Sequence, residues 1–386
     1  MSENSGTFYI VSAPADPKKI DAVNKLKAKI ASRGGDYAEV FAVNLPEFKV
    51  GTLDTLVVLS DDLSKLDSNF ESIACKLSDN MKSLLNNDVE QWRSNLSVTD
   101  KSIDNYLRGF QWNAMKYRTD KSLRELTDLI TQEVTSIDTL MKNKMQNYAT
   151  VKGQLQGLQR KQVGNLSVRS LNDVVKKEHF VLDSEYLTTL LVAVPKQSER
   201  DWLNNYESLT QMVVPRSTQK ITEDDEYIIY TVTLFKRIVD DYTLKAREFK
   251  FIVRDFKWDE SQMAKDKKEL AEIGASEKGL WSQVLRLCKT NFGEVYASWL
   301  HIKVIRACVE SVLRYGLPPD FQVMIVKAKP KQDRKVRDLI NQLYSNLGGA
   351  ANSKGSIDEH VEENLQLLLG DKDYSPVVLF PVNAIV

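Results

Sequence analysis

The chain has 386 residues, 53 lysines and arginines against 53 aspartates and glutamates, and 42% hydrophobic residues. That length and apolar content can supply cores for two compact domains, and a formal net charge of zero excludes a global field favouring nucleic acid or an anionic membrane. Three widely spaced cysteines, Cys75, Cys288 and Cys308, fit a reduced compartment better than a disulfide framework.

The opening MSENSGTFYIVSAPADPKK lacks the basic-then-apolar pattern of a secretory leader, and no stretch approaches the roughly 18 uninterrupted apolar residues of a membrane span. A soluble, cytosolic protein is expected, so the sequons at Asn95 and Asn165 carry little weight. In chain order, Phe8–Ala13 reads as a strand, followed by Pro14, a charged helix from Asp16 to Ser32, a Gly34-Gly35 break and a second extended run from Tyr37 to Val43. From Leu56 to about Asn95, apolar residues recur every three or four positions, predicting one helix or two. Between Asp120 and Gln162 a proline-free seam runs from Leu123 to Leu158, flanked by charged and amide side chains. Some 40 helical residues would extend about 60 Å, twice the width of a small domain, and a seam that narrow needs a partner of similar length. The segment Asp259–Tyr315 is the candidate, with its own seam at Trp281, Val284, Cys288, Phe292, Val295, Trp299, Ile302, Ile305, Val309 and Val312. Gly316, Pro318 and Pro319 stop it.

Between the two long helices the texture alternates. YLTTLLVAVP (186–195), YIIYTVTLFK (227–236) and FIVRDF (251–256) read as strands, with SERDWLNNYESLT and RIVDDYTLKAREFK as helices between them, implying a small α/β unit. After Pro319 come a strand at Phe321–Lys327, a helix QDRKVRDLINQLYSNL, the loop GGAANSKGS, a short helix and a last strand PVVLFPVNAI. The fold class expected is mixed, α+β or α/β. Connectivity points to an elongated dumbbell: a base from residues 1–119 and 316–386, a neck of antiparallel helices at 120–164 and 259–315, and an inserted head at 165–258.

Catalytic signatures are missing from the chain. It has no G-x-x-x-x-G-K-[ST] and no G-x-G-x-x-G, and His179, His301 and His360 stand in no metal-ligand spacing, so neither cofactor nor metal is expected. His301, beside the second seam, reads as a packed helix histidine, and Trp202 and Tyr206 as core aromatics one helical turn apart. The acidic run TEDDEYI (222–228) reads as a solvated turn that could also receive a basic partner. Lys176, Lys177 and His179, and the loop with Arg216, Ser217, Thr218 and Lys220, are polar surface that could make contacts.

Long blocks then become specific: LPEFKVGTLDTLVVLSDDLSKLD (45–67), FQWNAMKY (110–117), LSVRSLNDVVKKEHFVLDSEYLTTLLVAVPK (166–196), VVPRSTQKITEDDEYIIYTVTLFKR (213–237) and HIKVIRACVESVLRYGLPPDF (301–321). In this order they resemble the C subunit family of the eukaryotic vacuolar-type proton ATPase (V-ATPase), over nearly the whole chain. The resemblance implies a head, a helical neck and a foot built from both termini. It implies a non-catalytic regulatory and stator subunit that joins the ATP-hydrolysing sector to the membrane sector and leaves on reversible disassembly. Partners so implied are the peripheral-stalk E and G subunits at the head and the cytosolic N-terminal part of the membrane-sector a subunit at the foot, with actin for some members. The location so implied is the cytosolic face of endomembranes. On that reading, Lys176, Lys177, Arg216, Lys220, Lys236 and Arg237 are placed as head contacts. A cytoskeletal or vesicle-tethering adaptor is the alternative for a long-helix chain.

Overall fold

Aromatic and β-branched residues that fit a pleated, covered surface set the first strand, β1 (Phe8–Pro14), of which all but the terminal proline are buried. The computed structural model describes residues 6–14, 21–35, 37–317, 320–347 and 375–385. From β1 the chain runs through α1 (Ala22–Ser32), β2 (Ala38–Val43), α2 (Leu53–Leu84), α3 (Val89–Asn95), the two-residue strands β3 (Ser97–Val98) and β4 (Lys101–Ser102), α4 (Ile103–Arg108) and α5 (Leu123–Gln162). Then follow β5 (Leu187–Pro195), α6 (Glu199–Asn205), β6 (Gln219–Glu223), β7 (Tyr227–Phe235), α7 (Val239–Glu248) and β8 (Ile252–Arg254). The last elements are α8 (Glu260–Tyr315), β9 (Phe321–Ala328), α9 (Asp333–Leu343) and β10 (Val378–Val382).

Local chemistry sets the boundaries. Asp21, Thr52 and Asp88 accept hydrogen bonds from backbone N–H groups in the first turns of α1, α2 and α3, satisfying donors that have no partner inside the helix. Asn86 and Asn87, both left-handed, break the apolar run from Leu56 into two helices. Thr99 and Asp100, also left-handed, form the two-residue turn between β3 and β4. Residues Asp16–Ile20 of the first expected helix, Pro318 and Pro319, and the loop and short helix expected between Gly348 and Tyr374 lie outside the described residues.

The chain divides into two compact units, one made of Met1–Lys144 with Gln283–Val386, the other of Met145–Ser282. In the first unit the sheet order is β10-β1-β9-β2, every pairing antiparallel. Tyr9, Val11, Ala13, Met324 and Val326 on one face form a core with Leu26 and Ile30 of α1 and Val336, Leu339 and Ile340 of α9. From α8, the Ser311 hydroxyl donates to the Ser12 hydroxyl (2.6 Å) and the Tyr315 hydroxyl to the Ser12 carbonyl (2.9 Å).

In the second unit the order is β6-β7-β5-β8, again wholly antiparallel. Of the two expected fold classes this leaves α+β. The alternation of strands and helices, read as a small α/β unit, arises because each helix is followed by a strand that pairs outside its own repeat. Trp202 and Tyr206 of α6, Tyr242 and Ala246 of α7, and Phe251 form one core with Val192, Val194, Tyr230 and Val232. Leu166, Leu171 and Val175 pack with Leu191, Ala193 and Ile229 on the other face.

Both sheets share one topology. Each is a strand–helix–strand unit used twice, with the first strands central and each copy's second strand pairing against the other copy's first strand, which is the split βαβ arrangement of ferredoxin-like folds. In the second unit the copies are 40 residues apart, so that Lys196, Trp202 and the 3-10 turn Lys196–Ser198 correspond to Lys236, Tyr242 and Lys236–Ile238. The equivalence reaches single bonds: Lys196 N donates to Glu226 O (3.0 Å), and Lys236 N to Tyr186 O (2.8 Å).

The long helices α5 and α8 each contribute to both units. The seams hold where they face a broad core, since Leu123, Leu126, Ile130, Val134 and Met141 on α5 are buried, as is α8 from Val284 to Val312 at the expected positions. Trp281 departs from expectation at 36% exposure, because α8 buries no residue before Val284. In the second unit the Tyr148 hydroxyl of α5 donates to Glu277 Oε1 of α8 (2.9 Å).

Within the first unit, Asp67 of α2 lies buried against α8. Its carboxylate accepts from Trp299 Nε1 (2.7 Å), Lys303 Nζ (3.0 Å) and Arg306 Nη1 (2.8 Å). Lys303 also lies over the Trp299 ring and Arg306 over that of Phe380.

Candidate interaction surfaces

Several of the described groups that could do chemistry are buried, among them His301, Cys288 and Cys308. A cavity of about 570 Å³ in the first unit is lined mostly by apolar residues such as Val43, Phe48 and Val312, with Asp21 and Glu47 its only carboxylates among the described residues. Cys308 at its wall and Cys288 are buried, which pushes both thiols up to about 12 and keeps them protonated. Among the described residues no group of His, Cys, Asp and Glu could hold a metal ion.

His301 is packed, as its sequence context predicts. The rings of Phe110, Trp112 and Tyr117 stand edge-on to its imidazole at 5.1, 4.8 and 4.8 Å. Nδ1–H donates to the Ala297 carbonyl (2.7 Å) and Nε2 accepts from Asn113 N–H (3.2 Å), which fixes the neutral tautomer. Burial lowers its pKa to about 4. The loop holding these rings is also pinned by Lys116, whose ammonium bridges Glu133 and Glu294.

The six cations expected at the head all fall in the second unit but do not form one patch. Lys236 and Arg237 stand where β5 begins and β7 ends. There Lys236 Nζ donates to the Ser184 carbonyl (2.7 Å), and Arg237 lines a depression of about 340 Å³ with Met212, Ile238, Asp241, Leu244 and Lys245. Met212 is held left-handed, at φ 69°, and Phe235 N–H donates to its carbonyl. Exposed apolar side chains gather here: Tyr186 is 64% exposed, Leu244 61% and Met212 42%. Arg216 lies on the same loop as Met212, with its N–H bonded to Glu207 (2.8 Å).

Lys220 sits apart. It pairs across β7 with Tyr230, near the strand's other end, and its ammonium is held by Glu223 with Glu199 at 3.8 Å. Lys176 and Lys177 belong to the segment that packs over the opposite sheet face, and Lys176 lies 3.7 Å from Glu178. The acidic run is the exposed turn its sequence suggests at Glu223, Asp225 and Glu226, while Asp224 is half-buried. Burial works against the Asp224 charge, but N–H groups of Tyr227, Leu166 and Glu226 outweigh this and hold its carboxyl below the usual range. Met212, Leu244 and Tyr186 leave no trace in the sequence, because a single apolar residue outside a periodic stripe looks the same whether covered or bare.

A family profile described as that of the V-ATPase C subunit matches residues 8–378. The C subunit of the V-type proton ATPase of Manduca sexta is 40% identical over 379 residues, covering 97% of each chain. The C 1 subunit of the V-type proton ATPase of Rattus norvegicus is 40% identical over 376 residues, again covering 97% of each. Among solved structures, the cytoplasmic N-terminal domain of the I subunit, a homolog of the V-ATPase a subunit, aligns at a TM-score of 0.33 and 11% identity over 97% of this chain and 100% of that one, too slight a likeness to bear on the fold. The full-length match to the family profile and the two whole-chain relatives place this chain in the V-ATPase C subunit family.

Proposed function

We propose that the chain is a non-catalytic stator and regulatory subunit of a vacuolar-type proton pump, joining peripheral stalks to the membrane sector and governing reversible assembly. The observation that carries the reading is the family match from residue 8 to residue 378, which leaves no large part of the chain for another activity. No helix among the described residues is long and apolar enough to cross a membrane, which suits a peripheral subunit on the cytosolic face of endomembranes. The dumbbell belongs to the same reading: residues 1–119 and 316–386 form the foot, 120–164 and 259–315 the neck, and 165–258 the head. A rigid link between two anchors resists torque without chemistry. Two modest interfaces together give avidity, and loss of either lets the subunit leave.

The head contact with the E and G stalk subunits falls, on this reading, at the end of the second unit's sheet, where Lys236 and Arg237 flank the bare Met212, Leu244 and Tyr186. Cations beside exposed apolar side chains suit an acidic amphipathic helix. Arg216 adjoins this contact, whereas Lys176 and Lys177, in the segment over the opposite sheet face, would make a separate one. Lys220, held by Glu223, contributes least. The foot takes the membrane-sector a subunit. The variant Arg237→Glu/Leu244→Asp should weaken binding to purified E–G by about tenfold or more while the thermal melt is unchanged, and unchanged affinity would reject this placement. Small-angle scattering tests the shape, since a near-spherical particle would reject the dumbbell. The filament-tethering alternative requires actin binding without stalk binding, and the family match does not favour it.

A further inference from the structure

The second layer of the first unit, formed by α1, α9 and the turn before α9, is strongly basic in a chain whose net charge is zero. Residues 21–35 and 329–343 carry nine lysines and arginines against three carboxylates, Asp21, Asp333 and Asp338, and α1 itself contains no acid. Two of those three are committed to helix starts: Asp21 caps α1 and Asp333 stands in the first turn of α9. Lys27, Arg33, Lys331, Arg334 and Lys335 are exposed. Lys25 and Arg337 lie over the rings of Tyr344 and Tyr9, and Arg33 bonds to Gln342 across the two helices, so the platform beneath the charges is fixed.

We propose that this face docks a protein partner through a row of carboxylates. Because the chain is neutral overall, the positive excess here is balanced by negative excess elsewhere, so an acidic surface is drawn to this face and turned away from the rest. Among the described residues the face has no exposed large apolar side chain to insert among lipid tails. Tyr9 and Tyr344 are buried beneath the cations, leaving no open ring on which a base could stack. What remains is a polar, salt-sensitive platform of lysines and arginines. The inference concerns the first unit and does not depend on the family reading.

The test titrates the full-length chain with a short poly-L-glutamate peptide, with phosphatidylserine vesicles and with a DNA duplex in parallel. The peptide is expected to bind, weakening steeply as salt rises from about 50 to about 200 mM. The variant Lys27→Glu/Arg334→Glu/Lys335→Glu should lose about tenfold or more in peptide affinity at an unchanged melting temperature, while Lys268→Glu in the second unit leaves it as it was. No binding by the unaltered chain, or a triple variant that binds as well, would overturn the proposal. So would vesicles or DNA binding more tightly than the peptide. Binding that emerges only after deletion of residues 350–373, a stretch with six carboxylates, would assign the face to the chain itself and equally overturn it.

Discussion

At the scale of single residues, two buried groups have opposite logic. His301 is stable only when neutral, with a pKa lowered to about 4 against 6.5 in an unfolded chain. The unfolded state therefore takes up a proton first, so the stability His301 contributes is complete above pH 6.5 and is lost as pH falls towards 4. The amount is about 3 kcal/mol. Urea unfolding at a series of pH values should show His301→Phe with a shallower acid slope than the unaltered protein. Asp67 is held instead by its ion pairs, since among the described residues it is the carboxylate that Lys303 and Arg306 share. Asp67→Ala should cost about 3–5 kcal/mol by leaving two cations uncompensated, and Lys303→Met distinctly less, because Trp299 and Arg306 still satisfy the carboxylate. Paired denaturation curves check the order. The packed histidine was legible from its place in an apolar seam. The Asp67 network was not, because its members are 236 and 239 residues apart and nothing local distinguishes Asp67 from a neighbouring exposed aspartate such as Asp61.

Among the elements, what could be read depended on whether burial leaves a period. The seams of α5 and α8 did, since every third or fourth residue meets a core. The strand β6 did not: Gln219–Glu223 is an edge strand whose QKITE sequence has no buried position, and it passed for loop. The twofold repeat of the second unit was present in VAVPKQSERDW and VTLFKRIVDDY, but so few positions are shared that only the matching hydrogen bonds expose it. Glycines divide sharply. Gly153, Gly157, Gly274 and Gly279 lie within helices with open space where a Cβ would stand, so alanine at each should stabilise its helix by about 1 kcal/mol. Amide hydrogen exchange across residues 145–162 and 260–282 should slow accordingly. At Gly293 a Cβ would come within 2.9 Å of the Ser97 carbonyl oxygen of β3, and Gly293→Ala should destabilise by about 1–3 kcal/mol in the same assay.

For the whole molecule, composition and connectivity were enough to expect two cores and mixed secondary structure, because both follow from length and from where strand-like and helix-like text alternate. They could not decide between parallel and antiparallel sheets, since βαβ text serves either until the pairing partner is known. The second unit is continuous in sequence and carries its own core, so a fragment of residues 145–282 should unfold cooperatively when produced alone. A melt without a transition would show that its stability comes from outside. The first unit has no such independence. Its strand β1 is flanked on both sides by β9 and β10, which come more than 300 residues later in the chain, whereas β5 meets all its neighbours within some seventy residues. Each nascent chain therefore carries β1 as an unpaired apolar strand until β9 and β10 have been made. A premature stop after Tyr315 should yield an insoluble product rather than a shortened but folded one.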